Sequence, residues 1–225
     1  MRARALAVSI SIGLVASAAA VSAAPASILY SGRGFGGFVN VDSVLATFVC
    51  DTGALPSIGG TLETTATDVL LDHVLSAGFM STQAYTNATG TNCFTQTTGL
   101  SVLPGTPAAL TASVVSSISV ANCTGTASSF TVTNLVFGGT PIQVTGASNQ
   151  TVSIPGVATL TIDERIDSIT PTSTEITSNA LHLDLTAGGE VIISSSHAGV
   201  SNCVNVAAQP LPWSSVKSLY RDATR

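Results

Sequence analysis

The sequence predicts an all-β fold, an antiparallel β-sandwich of Greek-key or jelly-roll kind with disulfides. Three observations predict it. Residues 180–197, ALHLDLTAGGEVIISSSH, read as a hairpin: Leu181, Leu183 and Leu185 alternate with His182, Asp184 and Thr186, so the leucines share one strand face. Ala187-Gly188-Gly189 then signals a turn, and Val191, Ile193 and Ser195 line a return strand. From Leu100 onward, runs rich in Ser, Thr and Val recur between Gly and Pro signals, at spacings that suit a sandwich. Finally, 45% of the residues are hydrophobic and only 8% charged, which excludes disorder driven by charge. A β-solenoid is the alternative, weakened because no fixed-length repeat is evident.

The chain opens with a segment that does not read as part of the fold. Arg2 and Arg4 make a positive start, residues 5–20 are apolar, and Val21-Ser22-Ala23 fits a signal-peptidase site. Residues 1–23 are therefore expected to be a leader, with Ala24 as the new N-terminus. The remaining chain of about 200 residues is long enough for one domain with a real core. We place that domain at 24–206, and a loosely attached tail at 207–225, where Pro210 and Pro212 break regular structure. No later stretch is long and apolar enough to span a bilayer as a helix.

Gly32, Gly34, Gly36 and Gly37 form G-R-G-F-G-G in the first segment. A dinucleotide fingerprint needs G-x-G-x-x-G between a strand and a helix. Here the third glycine is misplaced, so a Gly-kinked strand with Phe35 and Phe38 packing is the expectation. Residues 39–49 read as a strand pair or one long strand. Residues 68–75 could form a short helix, but strands broken near Asp72 and His73 fit the neighbouring β segments better. Further strands are expected over 109–121, 126–137, 142–144, 152–154 and 157–162. Residues 171–178 read as a Ser/Thr-rich loop. In the closing hairpin, a three-residue loop would oppose Leu185 with Val191 and Leu183 with Ile193.

Charge and cysteines narrow the setting. The net charge is −5, and Lys217 is the only lysine. Nucleic acid is excluded as a partner by the lack of a basic patch. Cys50, Cys93, Cys123 and Cys203 all lie beyond the leader and so enter an oxidising compartment. Without a C-x-x-C pair, zinc-ribbon and thioredoxin readings are poor. Two disulfides are expected, Cys50–Cys203 and Cys93–Cys123, among three possible connectivities.

The order of segments between residues 100 and 199 resembles the bacterial choice-of-anchor P family of secreted proteins. The residues that carry it are Leu100-Ser101-Val102-Leu103-Pro104-Gly105, Ala112-Ser113-Val114-Val115 running to Cys123, and Asn134-Leu135-Val136-Phe137-Gly138-Gly139-Thr140-Pro141-Ile142. Val152-Ser153-Ile154-Pro155-Gly156-Val157 comes next, then Leu160-Thr161-Ile162-Asp163-Glu164, Asn179-Ala180-Leu181-His182-Leu183 and Ser195-Ser196-His197-Ala198-Gly199. The resemblance implies an exported, β-rich surface domain of unknown molecular role, often held at the envelope by a C-terminal anchor. No sorting motif with an apolar span and basic end lies beyond Trp213, so free secretion or attachment through a partner is equally expected.

No catalytic constellation stands out. Cys50-Asp51-Thr52-Gly53 after an apolar strand resembles an aspartic protease loop, but that chemistry needs a second aspartate and no second such motif exists. No G-x-S-x-G elbow is present. Asp163, Glu164 and Asp167 are candidate calcium ligands, since hard cations take several oxygens, though the D-x-D-x-D-G pattern is missing. Glu164 falls on the apolar phase of Leu160 and Ile162, so the strand is expected to end there with Glu164 paired to Arg165 or Arg33. His182 is expected to share a polar face with Asp184, and His197 to lie on the opposite face, so the two histidines do not converge. No cofactor is expected. The functional expectation is a secreted or surface-associated, non-enzymatic structural or adhesive module, contacting envelope components or itself. The alternatives are a hydrolase using Asp51 or Glu164, and a glycan- or calcium-binding module, with Tyr30 or Trp213 lining a glycan groove.

Overall fold

Two antiparallel sheets pack face to face in the computed structural model, which describes residues 27–41 and 44–203. The chain runs β1 (Leu29–Val41), β2 (Val44–Asp51), β3 (Thr61–Leu71), β4 (Leu75–Thr86), β5 (Gly90–Val102), β6 (Leu110–Asn122) and β7 (Gly125–Thr133). The short β8 (Val136–Phe137) and β9 (Thr140–Pro141) come next, then β10 (Gln150–Ile154), β11 (Ala158–Ile169), β12 (Ser173–Leu185) and β13 (Glu190–Ser201). One sheet is ordered β10-β11-β12-β13-β1-β2, and the other β3-β4-β5-β6-β8-β9 with β7 also pairing β6. Most neighbours are hairpins. The long-range exception is β1 against β13, which pairs Leu29 with Ser201 and Asn40 with Glu190. The sheets form no solenoid. The expected leader and the 207–225 tail, Trp213 included, lie outside the described residues.

The interior has two halves of different chemistry. Near the β12–β13 turn it is apolar: Val39, Leu75, Val102, Leu110, Phe137, Leu160, Ile162, Leu181, Leu183 and Ile193 are all buried. Each such side chain contributes about 1.5–3 kcal/mol by leaving water. In the other half, small hydroxyls replace most of the aliphatic side chains, beside a small apolar cluster of Ala121, Ile176 and Ala198. Thr91, Thr95, Thr97, Ser117, Ser119, Ser178, Ser194 and Ser196 are buried there. They bond across the gap: Ser117 Oγ donates to the Ser178 carbonyl at 2.9 Å, Ser119 Oγ to the Ser196 carbonyl at 2.9 Å, and Thr91 Oγ1 to the Gly199 carbonyl at 2.8 Å. This half is thin. Cα atoms of β13 come within 8 Å of those of β5 and β6, nearer than the roughly 10 Å usual between stacked sheets. A Cβ on Gly34 would lie 2.9 Å from Cys93 Sγ, so glycine is required by this approach. Serine and threonine thus fill an interior here, where composition alone suggests exposed strand faces.

The two halves meet at a level where the inward alternation slips by one residue. Left-handed residues mark it: Cys50 in β2, Asp68 in β3, Gly99 in β5, Asp163 in β11 and Ser194 in β13, with φ of 52°, 51°, 62°, 50° and 53°. Cross-strand pairing continues through the slip, with Leu181 opposite Ile193 and Asn179 opposite Ser195. The side that faces inward swaps nonetheless.

That slip corrects two expectations. The strand does not end at Glu164 but runs on to Ile169, with Asp163 turned inward and Glu164 outward. His197 leaves the Val191–Ile193 face and turns outward. The hairpin register also differs. Leu183 opposes Val191 and Leu181 opposes Ile193, because the last cross-strand pair is Asp184 with Glu190 and the loop is longer than three residues. Parity is unchanged, so the leucines still face the core. Residues 173–178 belong to β12 rather than to a loop, and residues 142–144 are not a strand.

The disulfide expectation is corrected too. The described residues contain one disulfide, Cys123–Cys203, and Cys50 and Cys93 are free thiols. Cys123 lies just beyond β6 and Cys203 just beyond β13. Both ends are held at the same rim, where Thr174 Oγ1 donates to the Asn122 carbonyl and the Cys203 amide to the Thr172 carbonyl. Cys93 sits mid-strand in β5, facing inward with its thiol against the Arg33 carbonyl at 3.3 Å. Cys50 lies on the sheet-edge strand β2, with its thiol 3.5 Å from the Thr64 carbonyl.

Candidate functional site

The outer face of the β10–β2 sheet carries the densest chemistry. In an antiparallel pair, alternate residues of one strand and their opposite numbers share a face. On β12 this brings His182 and Asp184 outward together, as the period-two pattern predicts. On β13, Glu190 stands directly opposite Asp184. On β11, the slip at Asp163 turns Glu164 to the same side, opposite Asn179.

These side chains converge on the imidazole. Glu164 Oε2 lies 2.9 Å from His182 Nδ1. On the other side of the ring, Nε2 lies 3.0 Å from Glu190 Oε2 and 3.4 Å from Asp184 Oδ1. Asn179 Nδ2 donates to Glu164 Oε2 at 2.6 Å. His182 is only 14% exposed. Its pKa is pushed up to about 9, chiefly by the hydrogen bond to Glu164 against the opposing effect of burial, with Asp184 and Glu190 adding to the rise. Glu164 is correspondingly held below the usual carboxylate range by His182.

Glu190 is the member that sequence reasoning misses. The signal was there, since a longer turn sets Glu190 against Asp184, but the assumed three-residue loop sets it against Thr186. The bond between Glu164 and His182 depends on the slip at Asp163, which no Gly or Asn announces.

The calcium candidates do not meet. Asp163 is buried and accepts from Ser148 Oγ at 2.6 Å and Ser178 Oγ at 3.2 Å. Asp167 accepts from Arg165 Nε at 2.6 Å and from Thr126 Oγ1 at 2.7 Å. Glu164 faces away from both, toward His182 and not toward Arg165 or Arg33. A concavity of about 570 Å³ near Phe130 and Ser148 includes Asp163 and Arg165, but both are committed to these partners.

Asp51 is committed as well. It takes a two-pronged contact from Arg33, at 3.0 and 2.7 Å, and accepts from the Gly53 amide at 2.9 Å. Arg33 holds its carboxyl below the usual range. The guanidinium also lies 4.1 Å from the centre of the Phe48 ring, and Phe35, Phe38 and Phe48 form one aromatic cluster on this face. His197 faces outward between Thr177 and Ser31, and burial lowers its pKa. It lies five positions along β13 from the partner of His182, about 17 Å at the usual strand rise. Tyr30 is half-buried against Leu55, Ala84 and Cys93.

Among the described residues, no helix is long and apolar enough to cross a membrane. Comparison with known proteins finds no matching family, no matching curated protein and no matching solved structure.

Proposed function

We propose that the chain is an exported, non-enzymatic structural or adhesive β-domain that works at or outside the cell surface. The observation that carries this reading is the aromatic cluster on the outer sheet face. Phe48 is 42% exposed and Leu45, on the same edge strand, is 88% exposed. Apolar side chains grouped on a rigid sheet face, rimmed by a charged pair such as Arg33–Asp51, suit contact with a partner surface. The leader-like start and the Cys123–Cys203 bond are compatible with an oxidising compartment. The proposal includes kinship with the choice-of-anchor P proteins, and partners among envelope components or further copies of the chain.

The hydrolase reading has less support. A general acid needs a carboxyl whose pKa is raised toward neutrality. Asp51 and Glu164 are both shifted the other way.

Fractionation of the producing cell tests the proposal. Mass spectrometry of medium, envelope and cytosol should find the protein outside the cytosol, beginning at Ala24. Wild-type protein should bind isolated envelopes or itself, and Phe48→Ser should lose that binding while keeping the wild-type circular dichroism spectrum. Cytosolic protein with reduced cysteines, or binding indifferent to Phe48→Ser, would overturn the reading.

A further inference from the structure

We propose that His182, Asp184 and Glu190 form a binding site for one divalent transition-metal cation of the zinc class, with Glu164 as the residue that orients the imidazole. The site does not depend on the adhesive reading.

Donor spacing is the first argument. One ligand atom from each of the three residues lies within 4.8 Å of the others. His182 Nε2 is 3.0 Å from Glu190 Oε2 and 3.4 Å from Asp184 Oδ1. A tetrahedral zinc ion with bonds of about 2.0–2.1 Å spaces its ligands about 3.3 Å apart. Three protein ligands on an exposed sheet face also leave a coordination position open to water. An imidazole among the ligands selects zinc, nickel or copper over calcium, which takes oxygen.

Charge balance is the second, independent argument. Asp184 and Glu190 are a like-charged pair placed directly opposite each other, which is destabilising on a sheet unless a cation lies between them. Glu164 adds a third carboxylate. The described residues hold two guanidinium groups, and both are committed elsewhere, Arg33 to Asp51 and Arg165 to Asp167. Even a charged His182 leaves the cluster with an excess of negative charge.

The third argument is the support behind the ring. Metal-ligating histidines donate their second ring N–H to a carboxylate, which fixes the tautomer and the ring plane. Glu164 occupies that position at 2.9 Å from Nδ1. Asn179, 5% exposed, braces Glu164 in turn, its Nδ2 donating to Oε2 at 2.6 Å.

The test is calorimetric titration of the chelator-treated protein with zinc chloride, beside thermal melts with zinc and with calcium. One zinc per chain should bind, zinc should raise the melting temperature, and calcium should not. Asp184→Asn with Glu190→Gln, both at solvent-reached positions, should abolish the saturable step. Glu164→Gln should weaken zinc binding by about 10- to 100-fold, as losses of outer-shell partners do. Circular dichroism on each variant reports folding separately. Absence of zinc binding, binding unchanged in the double variant, or an equal response to calcium would overturn the proposal. In the first case the cluster is an imidazolium held between carboxylates and nothing more.

Discussion

Ser117 on β6 and Ser196 on β13 face each other across the sandwich with their hydroxyls 2.5 Å apart. The strands are close here, with Cα atoms of β6 and β13 within 8 Å of one another. Ser119 adds a third hydroxyl at 2.8 Å from Ser196. Ser196→Ala removes one hydroxyl but leaves Ser117 and Ser119 their carbonyl acceptors, so the expected loss is about 1 kcal/mol. Ser196→Val adds methyl groups where the facing oxygens already touch, and should cost about 1–3 kcal/mol more. Urea unfolding of the two variants checks the order. A Val variant as stable as the Ala variant would mean the sheets can separate freely.

The disulfide makes a prediction about thiols. Alkylation of the denatured, unreduced chain should label two cysteines, Cys50 and Cys93, and leave Cys123 and Cys203 protected. In the folded protein Cys93 should stay unlabelled, since burial raises its thiol pKa to about 12. Cys123→Ser opens a loop with a sequence separation of 80 and should cost about 2–4 kcal/mol. Labelling of no cysteine, or of four, contradicts the pairing.

The legible part of the fold is the part where alternation runs unbroken. Leu181, Leu183, Val191 and Ile193 declare the apolar half, and the slip beyond them does not disturb it. Past Ser194 and Asp163 the same count of two points each side chain to the wrong face, which is why His197 and Glu164 are misplaced by sequence. A left-handed serine carries no signature like that of glycine or asparagine. The Ser/Thr half of the core is hidden for a second reason. A hydroxyl that donates to a carbonyl of the opposing sheet has the same letter as one that donates to water. Of the candidate site, His182 and Asp184 are visible as one polar face. Glu190 needs the loop length, and Glu164 needs the slip.

Acid should weaken the protein through Asp51. Its folded pKa lies below the ordinary aspartate value because of Arg33. The stability it supplies is therefore complete above the ordinary range, near pH 4, and is lost as pH falls through the lower folded value. Arg33 and Asp51 are 37% and 23% exposed, so screening holds the contribution below about 1 kcal/mol. Asp51→Asn should lower the melting temperature slightly at neutral pH and flatten its fall as the pH drops below about 4. An acid limb identical to wild type would show that the pair contributes nothing to folding.

The turn between β12 and β13 separates two effects of glycine. Gly188 and Gly189 both have positive φ, 100° and 98°. A Cβ at Gly188 would meet nothing within 4 Å, so Gly188→Ala carries backbone strain alone, about 1 kcal/mol. A Cβ at Gly189 would lie 2.5 Å from the Asn40 carbonyl oxygen and 3.1 Å from Val41 Cα. Backbone cannot rotate away as a flexible side chain can. Gly189→Ala must therefore push β1 from the turn, and should cost at least about 1 kcal/mol more than Gly188→Ala. Because Glu190 is the next residue, that displacement should also loosen the contact between Glu190 and His182. Paired denaturation curves test the first claim, and the histidine ring resonances of the two variants test the second. Equal stability of the variants would place the turn farther from β1 than this packing requires.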